Sequence, residues 1–494
     1  MKFQSTRDIN KNKYSSAQVI KQGLANDGGL FVPESIPFVS YDELQSFCSL
    51  SYPELAATIL RKFLTDYSID ELYEDCCNAY SKEAFAGDPC PLVRVKDNTY
   101  SLELWHGPTC AFKDMALQIM PRLLSRALSK TNEKKCALVL VATSGDTGKA
   151  ALEGYKNISQ TKISVFYPEN GVSSVQKLQM TTQTGDNVNV CSVNGNFDDI
   201  QTGVKHIFTN KDMAKELGEK GYLLSSANSI NFGRLAPQIV YYFKAYCDLL
   251  SKNEISMGDI INVCVPTGNF GNILAAYIAK LMGLPIGKLI CASNSNNVLT
   301  DFLNTGRYDR NRPFHLTISP SMDILISSNL ERLLYFVSGA EETSLYMDSL
   351  NSSGYYQITN KTKSAIDDSF VGYFTDEGDT SATIKHYYDH YQYLMDTHTA
   401  VAFSALDKYR DETLDQKICV VASTASPYKF ASDVYSSLFG KTPEDDLVAL
   451  NDLSERTETD IPASLKDLEK KPVNFSSTVN ADDIYSEVLR FINE

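Results

Sequence analysis

Several things the sequence lacks narrow its reading before any motif is considered. No segment approaches the 18 or so apolar residues that span a bilayer. The opening Met1-Lys2-Phe3-Gln4-Ser5-Thr6-Arg7 has no apolar signal core, so a cytoplasmic protein is expected. Positive charge is in deficit: 46 Lys and Arg stand against 61 Asp and Glu, a net charge of −15. That field repels nucleic acid and anionic membrane, so neither is an expected partner and any phosphate site must be local. The 11 cysteines, including the adjacent Cys76 and Cys77, show neither paired ligand spacing nor the density of a disulfide framework, and reduced, mostly buried thiols are expected. The dinucleotide fingerprint G-x-G-x-x-G is missing. Ser144-Gly145-Asp146-Thr147-Gly148-Lys149 has the wrong spacing for a P-loop, and Ala150 stands where Ser or Thr would hold magnesium, which excludes nucleotide hydrolysis. There is no internal repeat.

What is present is a soluble globular chain, 43% hydrophobic and 22% charged, too long at 494 residues for one compact core. Residues 1 to about 95 mix helical patterns with the turn-rich Gly23 to Pro33 and read as a helical cap. From a short strand near Ser101–Leu104 onward, brief apolar runs alternate with helical stretches. The runs are Ala137–Ala142, Ile163–Phe166, Val188–Val193, Ile260–Val265, Leu289–Ala292 and Ile418–Ala422. Strands buried on both faces and separated by helices predict an α/β fold with mostly parallel sheets, whose ligands lie beyond the carboxyl ends of the strands. Pro121 predicts a kink, or a division between a short helix after Lys113 and a second one. The stretch Asn296 to Arg332 reads as loop-rich, Thr375 to Tyr409 as helical, about 443 to 475 as surface connector, and Ala481–Ile492 as a final amphipathic helix.

Candidate chemistry gathers at strand ends. Lys113 sits among apolar and small residues in Leu104 to Asp114, where lost hydration lowers the amine pKa and favours Schiff-base chemistry; alone, the segment also reads as a surface lysine opening a helix. Gly268-Asn269-Phe270-Gly271-Asn272 follows a strand and opens a helix, presenting backbone N–H groups to an oxyanion or phosphate, or simply making a turn. Ser144 and Thr147, beside exposed amides, suit a carboxylate. Ser225 to Arg234 concentrates donors ahead of a helix, and Arg234 can pair with phosphate. Ser423-Thr424-Ala425 ends another strand. His386 and His390 lie one turn apart but lack a third ligand and read as an ordinary helix face, so no metal is expected. His106 and His398 are lone histidines.

These motifs together resemble the threonine synthase family, in the long form found in bacteria and fungi, within the fold type II (tryptophan-synthase β) group of pyridoxal-phosphate enzymes. The resemblance runs nearly end to end: Ser5-Thr6-Arg7, Gly23 to Leu30, His106-Gly107-Pro108-Thr109 with Phe112-Lys113-Asp114, Thr143 to Gly148, Ala227 to Asn231 with Arg234, Pro266 to Asn272, Ser319 to Ile324 and Ser423-Thr424-Ala425. It implies an N-terminal cap over residues 1–95 and a catalytic region over 96–494 in two subdomains, the smaller at about 130–220. It implies pyridoxal 5′-phosphate held by Lys113 as a Schiff base, with Asp146, Gly268, Asn269, Phe270, Gly271, Asn272 and Thr424 around it. Substrate contacts fall to Ser144, Thr147, Lys149, Ser229, Asn231 and Arg234. The implied substrate is O-phospho-L-homoserine, converted with water to L-threonine and phosphate by a monomer or homodimer. The alternatives are a related phospho-lyase releasing 2-oxobutyrate and a non-catalytic relative. Thr397 stands where the family usually has proline.

Overall fold

The computed structural model describes residues 1–143 and 145–493. Two sheets organise it. The larger has six strands in the order Phe370–Phe374, Ile286–Ser293, Ile261–Pro266, Cys419–Ser423, Thr99–Glu103 and Leu92–Lys96. All neighbours are parallel except the last pair. The second sheet is parallel throughout, in the order Ser477–Asn480, Val188–Asn194, Thr161–Pro168, Cys136–Ala142 and Tyr222–Ser225. Each apolar run of the sequence is therefore a strand, and the intervening helices cover the sheets as expected for parallel strands buried on both faces.

The N-terminal region forms helices Ser16–Gln22, Tyr41–Phe47, Tyr52–Phe63 and Ile69–Ala79. Three of them start with reciprocal caps, Ser15 with Gln18, Ser51 with Glu54 and Ser68 with Glu71, which satisfy amides the helix leaves unpaired. Their inner faces, with Leu60 and Phe63, belong to the same hydrophobic core as Leu123, Val139, Val263 and Leu289 of the helices and sheets. Pro121 divides rather than kinks: Asp114–Leu117 ends, and Met120–Lys130 begins with the proline in its first turn, where its missing N–H costs nothing. Met120, Leu123, Leu124 and Leu128 are buried on one face of that second helix, each contributing about 1.5–3 kcal/mol.

Three stretches differ from expectation. The connector over 443–475 contains the helix Asp446–Thr457, whose Ala449, Leu450 and Leu453 pack into a core beneath its charged outer face. The loop-rich stretch after Asn296 contains the helix Val298–Thr305. The second sheet gains Ser477–Asn480, an edge strand so exposed that it carries no apolar alternation. No described helix is long and apolar enough to cross a membrane, and the cysteines are free thiols.

Candidate active site

The site begins where two adjacent parallel strands end. Thr99–Glu103 and Cys419–Ser423 run in register, with Ser423 opposite Glu103, and the segments leaving them stay zippered together. Leu104 N donates to the Ser423 carbonyl (2.9 Å), Phe112 N to the Thr424 carbonyl (2.8 Å) and Ser426 N to the Cys110 carbonyl (3.1 Å). Lys429 Nζ adds a side-chain rung by donating to the Thr109 carbonyl at 2.7 Å. Lys113 and Thr424, far apart in sequence, are thereby fixed side by side at the carboxyl edge of the sheet.

Lys113 Nζ donates to Asp146 Oδ2 at 3.3 Å and to Ser321 Oγ at 3.2 Å. Ser321 Oγ in turn donates to the same Asp146 oxygen at 3.1 Å. The other oxygen, Oδ1, accepts from Gln176 Nε2 (3.0 Å) and lies 3.0 Å from Lys429 Nζ. Asp146 opens the helix Asp146–Tyr155 directly after Gly145, whose φ of +137° and contact with the Gln176 side chain exclude a Cβ. Burial alone would raise the Asp146 carboxyl, but the charges of Lys429 and Lys113 outweigh it and hold the group well below the usual carboxylate range. Burial is likewise the largest influence on Lys113 and pushes its amine down. Asp146 opposes that, while Lys429 and Arg234 add to it.

Ser321 is held from behind. Its N–H donates to His398 Nε2 at 3.0 Å, so that nitrogen accepts and the imidazole proton sits on Nδ1, facing Asp396 Oδ2 at 2.7 Å. Asp396 also accepts from the Thr399 and His398 amides that open the helix Thr397–Thr413.

The Gly268 to Asn272 turn leads into the helix Gly271–Leu281 through Phe270, a buried residue at φ +62°. A left-handed phenylalanine is strained, and such strain persists where the surroundings enforce it. The first-turn amides have no intrahelical partner and lie at the positive end of the helix dipole, an arrangement that suits an anion. Asn272 reinforces it. Tyr241 and Tyr242 hydroxyls both donate to its Oδ1 at 2.6 Å, fixing the amide so that Nδ2 stays buried without a partner among the described residues. Asn329 Nδ2 donates to the carbonyls of Asn269 (3.1 Å) and Ser229 (3.3 Å), tying this turn to the donor-rich segment.

In that segment Arg234 is buried, bonds the Ala227 carbonyl through Nη1, and leaves Nε without a partner among the described residues. Burial pushes it down to about 10. No carboxylate pairs with it among the described residues, an arrangement that an incoming anion relieves. Ser229 is half-buried and Thr147 lies half-buried in the first turn of its helix. Asn231 is committed elsewhere: Oδ1 caps Gly233 N and Nδ2 donates to the Ile20 carbonyl, both at 2.9 Å. Lys149 is turned to Glu153 (3.1 Å) and Gln183. Both side chains thus serve the scaffold here, because a buried amide or ammonium takes the acceptors nearest to it. Ser144 lies outside the described residues.

Sequence reasoning missed Ser321, Gln176, Lys429 and the partner of His398. Ser321 lies within the quoted Ser319 to Ile324 motif, and Lys429 five residues past Thr424 in a mostly apolar stretch, which was the available signal.

Comparison with known proteins matches the chain to three families. These are described as threonine synthase N terminus over residues 2–80, pyridoxal-phosphate dependent enzyme over 89–424, and threonine synthase, C-terminal over 399–492. Human threonine synthase-like 1 is 42% identical over 439 residues, spanning 86% of this chain, which in turn spans only 58% of the length of that relative. Threonine synthase of Pseudomonas aeruginosa is 38% identical over 447 residues, covering 89% of this chain and 91% of its own. The solved structure of pyridoxal-phosphate-bound threonine synthase from Brucella melitensis superposes with a TM-score of 0.88 at 35% identity, covering 100% of this chain and 99% of its own.

Proposed function

From the premise that the chain belongs to the threonine synthase family of fold type II, pyridoxal-phosphate-dependent enzymes, we propose that it converts O-phospho-L-homoserine and water into L-threonine and phosphate. The observation that carries this is Lys113, a nearly buried amine held between the Asp146 carboxylate and the Ser321 hydroxyl, in a site that also holds buried donors, Asn272 Nδ2 and Arg234 Nε, with no partner among the described residues. The residues present fit the cofactor. The unpartnered Asn272 Nδ2 and the helix terminus suit its phosphate, and an amine with lowered proton affinity suits its attachment.

When bound, pyridoxal phosphate supplies the electron sink that makes protons at the substrate's Cα and Cβ removable. Lys113 would hold the cofactor through Nζ, and the same amine, when free, would take the Cα proton and return protons later. Asp146 and Ser321 orient that amine. Thr424, directly after the central strand Cys419–Ser423, would offer the ring a hydroxyl rather than a carboxylate and so would not enforce a protonated pyridine nitrogen. Arg234 and Ser229 grip the substrate phosphate until it leaves from Cγ, and Arg234 gains the counter-ion its burial lacks. Thr147 and the neighbouring amides hold the substrate carboxylate, which fixes the face of Cβ that water meets. The enzyme acts in the cytoplasm as a monomer or homodimer.

Product analysis tests the reading: purified protein given O-phospho-L-homoserine should release threonine and phosphate in equal amounts. Release of 2-oxobutyrate as the main product would replace it with the phospho-lyase reading. The protein should also show a visible chromophore that borohydride traps on Lys113 and that Lys113→Ala abolishes.

A further inference from the structure

Lys429 has no part in the chemistry above, yet it is the most enclosed cation of the site. Its side chain is 0% exposed, against 12% for Lys113. It stands 3.0 Å from Asp146 Oδ1 and donates to the Thr109 carbonyl at 2.7 Å, while Lys113 reaches Asp146 Oδ2 at 3.3 Å. One carboxylate thus lies between two lysines, and its closer contact is with the one that has no route to solvent. The other titratable groups around this pair are Arg234 on the side of Lys113, His398 toward Asp146, the Cys110 thiol, Asp114, and Lys149 with its partner Glu153. Asp114 spends both oxygens on Thr109 and offers Lys429 no direct bond. Two facing cations repel, and in a buried site that repulsion falls on the member with the weaker hold on the shared anion.

We propose that Lys429 is a positioning residue that acts through Asp146. It claims the carboxylate from the far side, keeps it ionised and oriented whether or not Lys113 is bonded to the cofactor, and so leaves Lys113 as a free amine rather than half of a saturated ion pair. The zippered segments explain its placement: the turn that carries Thr424 into the site also carries Lys429 behind it.

The inference rests on Lys113 being the reactive amine, and the test separates the two. Cofactor-free protein is pulse-labelled with acetic anhydride across pH, and acetylation of Lys113 is read by peptide mass spectrometry. In wild type, Lys113 should label with a midpoint below that of surface lysines; if it labels no faster than they do, the reactive-amine reading itself fails. Lys429→Gln keeps a donor for Asp146 and the Thr109 carbonyl but removes the charge. It should move the Lys113 midpoint upward by about one to two pH units, slowing labelling near neutrality by on the order of tenfold or more. Lys429→Arg keeps the charge and should hold the wild-type midpoint. A folded Lys429→Gln with an unmoved midpoint overturns the proposal. If that variant does not fold, Lys429→Arg decides alone: a wild-type midpoint supports the charge role, and a raised one overturns it. In cofactor-loaded protein the pH titration of the visible absorbance should move for Lys429→Gln and not for Lys429→Arg.

Discussion

Asn272→Asp is the sharpest test of the phosphate end of the site, because the structure isolates one atom. Asn272 Oδ1 is held by two tyrosine hydroxyls at 2.6 Å each, and a carboxylate oxygen accepts those bonds equally well. The substitution therefore preserves the packing behind the loop and changes only Nδ2, which has no partner among the described residues. Losing a hydrogen bond to a charged group costs about 1.5–3 kcal/mol, and a like charge a few ångströms from phosphate adds up to about 4 kcal/mol even at an effective dielectric of 20. The sum exceeds about 3 kcal/mol, so pyridoxal phosphate should bind at least about a hundredfold more weakly. The assay is titration of cofactor-free protein with pyridoxal phosphate, followed by the visible absorbance of the attached form, with thermal melting of the unliganded protein as the control for folding. Affinity within threefold of wild type, with melting unchanged, would show that Asn272 does not face the phosphate.

Two stability predictions follow from neighbouring residues. Burial pushes the Asp114 carboxyl up to about 6. A raised folded pKa favours the native state fully below the unfolded value of 3.8, and that advantage is lost as pH rises through about 6. Asp114→Asn, which retains acceptor and donor for Thr109, should flatten the dependence of melting temperature on pH between about 4 and 7, removing up to about 3 kcal/mol of variation; a profile parallel to wild type would refute the assignment. Gly154→Ala would drive a Cβ into the Leu117 carbonyl oxygen, where the helix Asp146–Tyr155 crosses the one that follows Lys113. Denaturant unfolding should show a loss of about 3 kcal/mol or more, at the upper end for overpacking.

The strands buried on both faces were legible because they leave short apolar runs, whereas the partly exposed Leu92–Lys96, Tyr222–Ser225, Phe370–Phe374 and Ser477–Asn480 leave none and were not read. Lys113, the Gly268 to Asn272 turn and Thr424 stood out as candidates for a related reason: each follows such a run, where an α/β fold presents its ligands. What could not be read were relations between distant segments. Lys429, Gln176 and Ser321 meet one carboxylate from three separate parts of the chain, and nothing local marks a lysine that will end in a closed interior. Asn231 and Lys149 show the converse. Their positions suggested ligand contact, yet each is close to an acceptor within the protein and is used by it. The helix Asp446–Thr457 escaped notice because its buried face is only Ala449, Leu450 and Leu453 among many charges.

The place of Cys419–Ser423 in the larger sheet has a consequence for how the protein is made. This strand is not at an edge; it lies between Ile261–Pro266 and Thr99–Glu103, which otherwise do not touch as strands. On the ribosome, the chain bearing Lys113 emerges long before the strand that closes the sheet around it. Until then the two strands it joins have no common neighbour, and the lysine has no zipper, no Thr424 and no Lys429 beside it. Such late, long-range closure is slow by nature. The capacity to capture the cofactor should therefore be acquired only after residues 419–429 have been made, and a chain truncated before residue 419 should hold it far more weakly.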